Sequence, residues 1–128
     1  MRGGHQATLI AANNLAFLNV ELERYDEARL LLRKMMSVAQ RVLGESNEIT
    51  LRLRWIYARA LFEDADATLD NLHEALTMLE ETQRIARRVF GGEHPLTTEI
   101  RESCFRAMRE GQAALRARGV TPPLGDAS

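Results

Sequence analysis

The sequence predicts an all-α protein, a stack of antiparallel helical hairpins with five helices making about two and a half repeats. Composition is the first reason. The 128 residues are 45% hydrophobic but only 5% aromatic, and they favour Ala, Leu, Arg and Glu over the β-branched and aromatic types that suit strands. Self-similarity is the second. His5-Gln6-Ala7-Thr8-Leu9, leading into Asn13-Asn14-Leu15-Ala16, overlays Asn47-Glu48-Ile49-Thr50-Leu51 and Trp55-Ile56-Tyr57-Ala58 after 42 residues. A further 47 residues lead to His94-Pro95-Leu96-Thr97-Thr98 and Glu102-Ser103-Cys104-Phe105. Between these segments Ala28, Leu32, Ala39, Val42 and Gly44 stand 47 residues before Ala75, Leu79, Ala86, Val89 and Gly91. Apolar spacing is the third reason: Leu69, Leu72, Leu76, Leu79 and Ala86 fall on one helical stripe.

Each element follows from local signals. The first helix covers about Ala7 to Leu22, with Glu23-Arg24 as the turn. The second covers Tyr25 to Leu43 and ends at Gly44, read as a left-handed cap. The third runs from Glu48 to Phe62, and Glu63-Asp64-Ala65-Asp66 reads as a turn lengthened by the extra residues of the second unit. The fourth runs from Ala67 to Phe90 with Asp66 as N-cap and stops at Gly91-Gly92. The fifth opens on Pro95, a favourable first helical residue, and runs to Arg118. It carries Leu96, Ile100, Cys104, Met108 and Leu115 on one face, against Arg101, Glu102, Arg106, Arg109, Gln112 and Arg116 on the other, as a capping helix should. Residues 5–118 therefore form the repeat domain, and residues 119–128 read as a flexible C-terminal tail.

The first helix breaks this pattern. Leu9, Ile10, Leu15, Phe17, Leu18, Val20 and Leu22 point in almost every direction around its axis, and a helix apolar all round expects cover on more than one side. A second copy, or a longer array of which this chain is the C-terminal piece, would supply it. Leu9, Ile10, Phe17 and Leu18 are the candidate oligomer contacts.

Charge and cysteine content narrow the function. Seventeen basic and 18 acidic side chains give a net charge of −1, without the basic excess of a general nucleic-acid binder. No apolar run reaches the roughly 18 residues that span a bilayer, and one cysteine, Cys104, allows no internal disulfide. A cytoplasmic protein is the expectation. His5, His73 and His94 lack partners at ligand spacing, so no metal is called for. Gly91-Gly92 lacks the strand and Gly-Lys of a phosphate loop, and Cys104 falls on an apolar stripe. No catalytic constellation and no cofactor site emerges.

Asn13-Asn14-Leu15-Ala16, Arg24-Tyr25-Asp26-Glu27-Ala28, Arg41-Val42-Leu43-Gly44 and the linker Gly91-Gly92-Glu93-His94-Pro95-Leu96-Thr97-Thr98 resemble the tetratricopeptide repeats of the kinesin light chains. The 42-residue step resembles theirs too. The resemblance implies a right-handed superhelix of helix pairs, with the first helix of each pair lining a concave groove that grips peptides. It implies that Asn13 and Asn14 match the asparagines that hold a peptide backbone. Trp55 and Ile56, then Glu102 and Ser103, replace them in the later units. The same projection places Ile10, Asn13, Phe17, Val20, Arg52, Trp55, Arg59, Arg106 and Arg109 on or near the concave side. Arginines beside an exposed aromatic would suit an acidic peptide with an apolar anchor; the other reading of the same residues makes Trp55 core filling and the arginines a solvated face with Glu partners. The chaperone-tail clamp of other such proteins does not fit, because its places hold Ile10, Asn14, Arg52, Ile56, Glu99 and Ser103.

The expected function is thus a protein-protein interaction module or scaffold, not an enzyme, presenting a concave groove to a peptide or protein partner. The alternative is an assembly element pairing through its apolar N-terminal helix.

Overall fold

The computed structural model describes residues 2–119, with side chains from His5 onward. Five helices follow in order: α1 Arg2–Glu21, α2 Tyr25–Leu43, α3 Glu48–Phe62, α4 Leu69–Phe90 and α5 Pro95–Ala117. No strand occurs among the described residues. Each helix packs on the next in sequence, and α3 also touches both α1 and α5. Among the described residues α2 and α4 do not touch. The first helices of the hairpins are therefore closer together than the second ones, and the stack bends with α1, α3 and α5 on its inner side.

The sequence-derived bounds of α2 and α3 agree with the structure, and those of α1, α4 and α5 shift. The first helix begins at Arg2 rather than Ala7. The fourth begins at Leu69 rather than Ala67, and its N-cap is Thr68, not Asp66. Thr68 Oγ1 accepts from Asn71 N at 3.0 Å, while Asn71 Oδ1 accepts from Thr68 N at 3.0 Å. This reciprocal pair satisfies two free donors at once. Asp66 belongs to the preceding turn, its N–H donating to Asp64 Oδ1 at 2.9 Å. Thr68→Ala should cost about 1 kcal/mol in urea unfolding, with Asp66→Ala near neutral. The fifth helix ends at Ala117, with Gly119 at φ +78° in the turn beyond it. Of the tail, residues 120–128 lie outside the described residues.

The two inter-repeat junctions are built alike. Gly44 (φ 94°, ψ 161°) and Gly91 (φ 92°, ψ 160°) close α2 and α4. Their φ is positive, as a glycine stop implies, but their ψ is extended, so neither is the left-handed helical cap foreseen at Gly44. This region is essentially reserved for glycine. Three residues on, Asn47 Oδ1 accepts from Ile49 N at 2.8 Å, and His94 Nδ1 accepts from Leu96 N at 3.1 Å. His94 is thus an N-cap as well as a turn residue, its ring stacked on Phe90 at 4.6 Å. Nothing lies within 4 Å of a Cβ added at Gly91, so only the backbone resists substitution there. Gly91→Ala should destabilise by about 1–3 kcal/mol, measurable as a lower denaturation midpoint with unchanged helicity.

The core runs through the whole stack. Leu9, Leu32, Leu51, Ile56, Leu79, Leu96 and Ile100 are buried, and Ala28 and Ala75 are fully covered at equivalent places. Small residues there let neighbouring helices approach closely. The third helix is the hub, with ten of its 15 residues buried. Contacts on four sides explain why it shows little amphipathic contrast. The fifth helix buries Leu96, Ile100, Cys104 and Ala107, while Phe105 and Met108 stay 52% and 42% exposed.

Candidate functional site

The inner face owes its chemistry to one column of positions repeated in α1, α3 and α5. Phe17, Arg59 and Arg106 occupy one place in it, and Glu21, Glu63 and Glu110 occupy the place one turn later. Arg59 reaches back one repeat, its Nη2 donating to Glu21 at 2.9 Å. Arg106 makes the equivalent reach, its Nη2 donating to Glu63 Oε2 at 3.1 Å. Within α3, Arg59 Nε also donates to Glu63 Oε2 at 2.7 Å. The result is a ladder of ion pairs tying successive hairpins together along the inner side.

Aromatic rings seat these guanidinium groups. Arg59 lies 5.4 Å from the Trp55 ring centroid and 5.5 Å from that of Phe17, and Arg106 lies 5.2 Å from that of Phe62. Such placement over a ring face is attractive for a cation. Burial disfavours the Arg59 charge, but the hydrogen bonds it donates to Glu63 and Glu21 outweigh this and hold the group above its ordinary range. Arg59 is a structural cation, 12% exposed at its side chain.

The predicted groove residues therefore separate. Of the two readings of Trp55, groove aromatic or core filling, the core position holds: it is 8% exposed, its Nε1 donating to Ser103 Oγ at 2.8 Å. It joins α3 to α5 and, through a tilted 6.4 Å contact with Phe17, to α1. Arg52 is paired with Glu48 through Nε and Nη2, at 3.0 and 2.9 Å. Arg109 is exposed, with no ion pair among the described residues. Asn13 is partly buried, and its Oδ1 is covered without a hydrogen-bond partner. Asn14 is exposed and lies about 100° around the axis from Asn13, so the two asparagines do not share a face. Ile10 and Phe17 stay 45% and 39% exposed. Leu9, named as an oligomer contact, is fully buried, because it turns toward α2 and α3 as Leu51 turns inward in the next unit.

Sequence reading missed Glu21, Glu63 and Ser103. The signal for the glutamates lies in the repeat itself, since Glu21, Glu63 and Glu110 recur at the 42- and 47-residue steps. Beyond the ladder, a cleft of about 540 Å³ opens between the α3–α4 turn and α5, lined in part by Tyr25, Phe62, Glu63, Asp64, Arg106 and Glu110. Burial, aided by Glu63, Glu23 and Asp64, raises the Tyr25 hydroxyl above its usual range.

Cys104 is buried under α4, and burial, with Glu80 nearby, pushes its thiol up. A raised value keeps the thiol protonated. Its contribution to stability is complete below the ordinary thiol range and is lost as pH rises through the folded value. In the native protein Cys104 should react with a disulfide reagent at pH 8 more than tenfold more slowly than after unfolding, because burial adds to the missing thiolate. No group of three or more His, Cys, Asp or Glu among the described residues is placed to hold a metal ion.

The repeated hairpin, its glycine-closed junction and its equivalent buried alanines have an independent counterpart. The family model for the tetratricopeptide repeat matches residues 8–48 and 66–96, more than half of the chain. The chain belongs to the tetratricopeptide repeat family. The two matched stretches of this tetratricopeptide repeat protein cover α1 with α2, then α4 with the start of α5; most of α3 lies outside both. That is where Trp55 and Ile56 replace the paired asparagines of α1. Neither a curated protein nor a solved structure matches the chain. Repeats of this family mediate protein-protein interaction. No helix of the described residues is long and apolar enough to cross a membrane.

Proposed function

We propose that this chain is a protein-binding module of the kinesin light chain kind, working in the cytoplasm and holding a partner segment along the inner face of α1, α3 and α5. One observation carries the reading. On that face Ile10 and Phe17 are 45% and 39% exposed, and they flank Asn13, whose covered amide oxygen has no partner. An apolar anchor would lie against Phe17, while the Asn13 amide, which makes no hydrogen bond among the described residues, can turn toward a peptide backbone. The arginines support a narrower role than their number suggests. Arg52, Arg59 and Arg106 already face Glu48, Glu21 and Glu63, so a preference for acidic segments rests on Arg109 and the outer edge of Arg52.

A peptide array probed with the intact chain tests this. Phe17→Ala should weaken the best binders more than about tenfold, the scale of a single anchor. Arg52→Glu with Arg109→Glu should weaken acidic binders several-fold and leave neutral ones alone. Arg59 is unsuitable for this purpose, since Arg59→Glu would set three carboxylates together. Binding unaltered by Phe17→Ala would remove the inner-face reading.

A second reading, assembly through α1, has its own support. Leu15 and Leu18 of α1, and Leu22 just past its end, are 52%, 51% and 52% exposed. Monomeric surfaces seldom gather large apolar side chains in this way without a partner.

A further inference from the structure

Building on the second reading, we propose that the outer face of α1 pairs with the α1 of a second copy, antiparallel about a two-fold axis between Asn14 and Leu15. The inner-face reading does not depend on it.

The first observation is that this face lacks its cover. Ala7, Ala11, Leu15, Leu18 and Leu22 are all exposed. Their counterparts in α3, 42 residues later, are Ile49, Leu53, Tyr57, Ala60 and Asp64. Leu53, Tyr57 and Ala60 are buried, and α2 closes over them: Arg29 Nη1 donates to Ala60 O at 2.8 Å, and Arg33 Nε to Tyr57 Oη at 3.2 Å. Thr8 repeats the contrast, being exposed where Thr50 is fully buried. The face on α1 is one that this fold elsewhere buries against helices.

The second observation concerns which occupant fits. Gln6 to Val20 holds no charged residue, in a chain of which 27% is charged. Both internal junctions are bridged by an arginine reaching back to a glutamate, Arg59 to Glu21 and Arg106 to Glu63. At the same place α1 carries Phe17, so it has no bridge to offer a preceding hairpin. Leucines stand at Leu15 and Leu22, where Tyr57 of α3 and Asp64 of the turn after it face the arginines of α2. The face is dressed for an uncharged apolar helix, and α1 is itself such a helix.

The third observation is self-complementarity. Small side chains (Ala7, Ala11) fill the N-terminal half of the face, and large ones (Leu18, Leu22) fill the C-terminal half. Antiparallel pairing about the stated axis sets Ala7 against the partner's Leu22 and Ala11 against the partner's Leu18. Alternation of large and small lets two helices approach closely, and a two-fold interface requires each patch to match itself. The first turn of α1 has no acidic residue and the last turn no basic one. Antiparallel packing brings the positive N-terminal end of each helix toward Glu21 and Glu23 of the other, a favourable arrangement. Ile10 and Phe17 lie about a quarter-turn or more from this seam and remain with the inner face.

Sedimentation of the intact chain over about 1–100 µM, bracketing a dissociation constant near 10 µM, should show the average mass climbing from that of one chain toward twice that value. Leu18→Arg should return it to the monomer mass with helicity kept, because Leu18 is exposed in the single chain. Cysteine pairing then reads the orientation. Ala11→Cys and Leu18→Cys, each alone, should not link to themselves, since equal positions lie about 10 Å apart along the axis, beyond disulfide reach. Mixed together they should form the heterolinked dimer, and Leu15→Cys alone should link to itself. A single-chain mass throughout overturns the proposal and assigns the face to a helix of another kind, from a preceding hairpin or a foreign protein. A dimer indifferent to Leu18→Arg, or an Ala11→Cys self-link, overturns it as well. Phe17→Ala should leave the dimer intact, and Leu18→Arg should leave peptide binding intact, so the two readings fail separately.

Discussion

Trp55→Ala is expected to lower the unfolding free energy by about 3–5 kcal/mol, the cost of emptying a large aromatic site in a core. Domains of this size have about 5–15 kcal/mol in all, so the variant should sit near the edge of folding at 37 °C. The effect is large because Trp55 serves three helices: it packs against Phe17 of α1, seats the Arg59 guanidinium, and bonds to Ser103 of α5. Trp55→Phe should lose much less, mainly the indole N–H and part of the ring, leaving the Ser103 hydroxyl to find another partner. Urea titrations followed by circular dichroism suit the comparison, since the only tryptophan is the residue removed. A loss below about 1 kcal/mol for Trp55→Ala would mean that the indole does not hold these helices together.

Glu63→Ala is the second large effect expected, and it should act on stability and binding in opposite directions. Glu63 is 13% exposed at its side chain and accepts from both Arg59 and Arg106. Removing one partner of a covered ion pair leaves a cation without compensation, at about 3–5 kcal/mol where burial is complete. Glu21 still answers Arg59, and Arg106 is 41% exposed, so a loss near 2–3 kcal/mol is the expected result. The same change frees two guanidinium groups on the inner face. Acidic peptides should then bind more tightly than to the native chain, with a steeper dependence on salt. Glu63→Gln, keeping the shape and one acceptor oxygen, should fall between the two. Stability within about 0.5 kcal/mol of the native chain would show that the ladder is ornamental to folding.

The ladder also explains how an inner face rich in arginine stays inside a nearly neutral protein. Arg52, Arg59 and Arg106 are each held by a carboxylate of their own or the preceding repeat, which leaves Arg109 as the inner-face arginine without an ion pair among the described residues. Such pairing links hairpins across the stack, where apolar contacts alone leave the relative rotation of neighbours less determined. Under the proposed inner-face reading, it shifts recognition from charge toward the apolar surface of Ile10 and Phe17.

Much of the architecture was legible in the chain. Helix bounds for α2 and α3 came from periodicity and from the Gly44 and Phe62 neighbourhoods, because a stack of hairpins repeats the same burial demand at each step. The equivalence of Ala28 with Ala75 was visible for the same reason: close helix approach admits only small side chains there. What the chain did not display was which polar groups would meet. Asp66 and Thr68 are both good caps by type, and only the Asn71 amide reaching back decided for Thr68. Trp55 looked like a groove residue by repeat position, yet its indole had a serine 48 residues away to bond, a contact that no local pattern encodes. A glutamate partner for Arg59 was one of the readings open in the chain, but that it would be Glu21, 38 residues away, only folding decided. Periodicity is a property of one helix against its own axis and is written locally. Pairing of charges and hydrogen bonds between hairpins depends on their mutual rotation, and that exists only once the stack has closed.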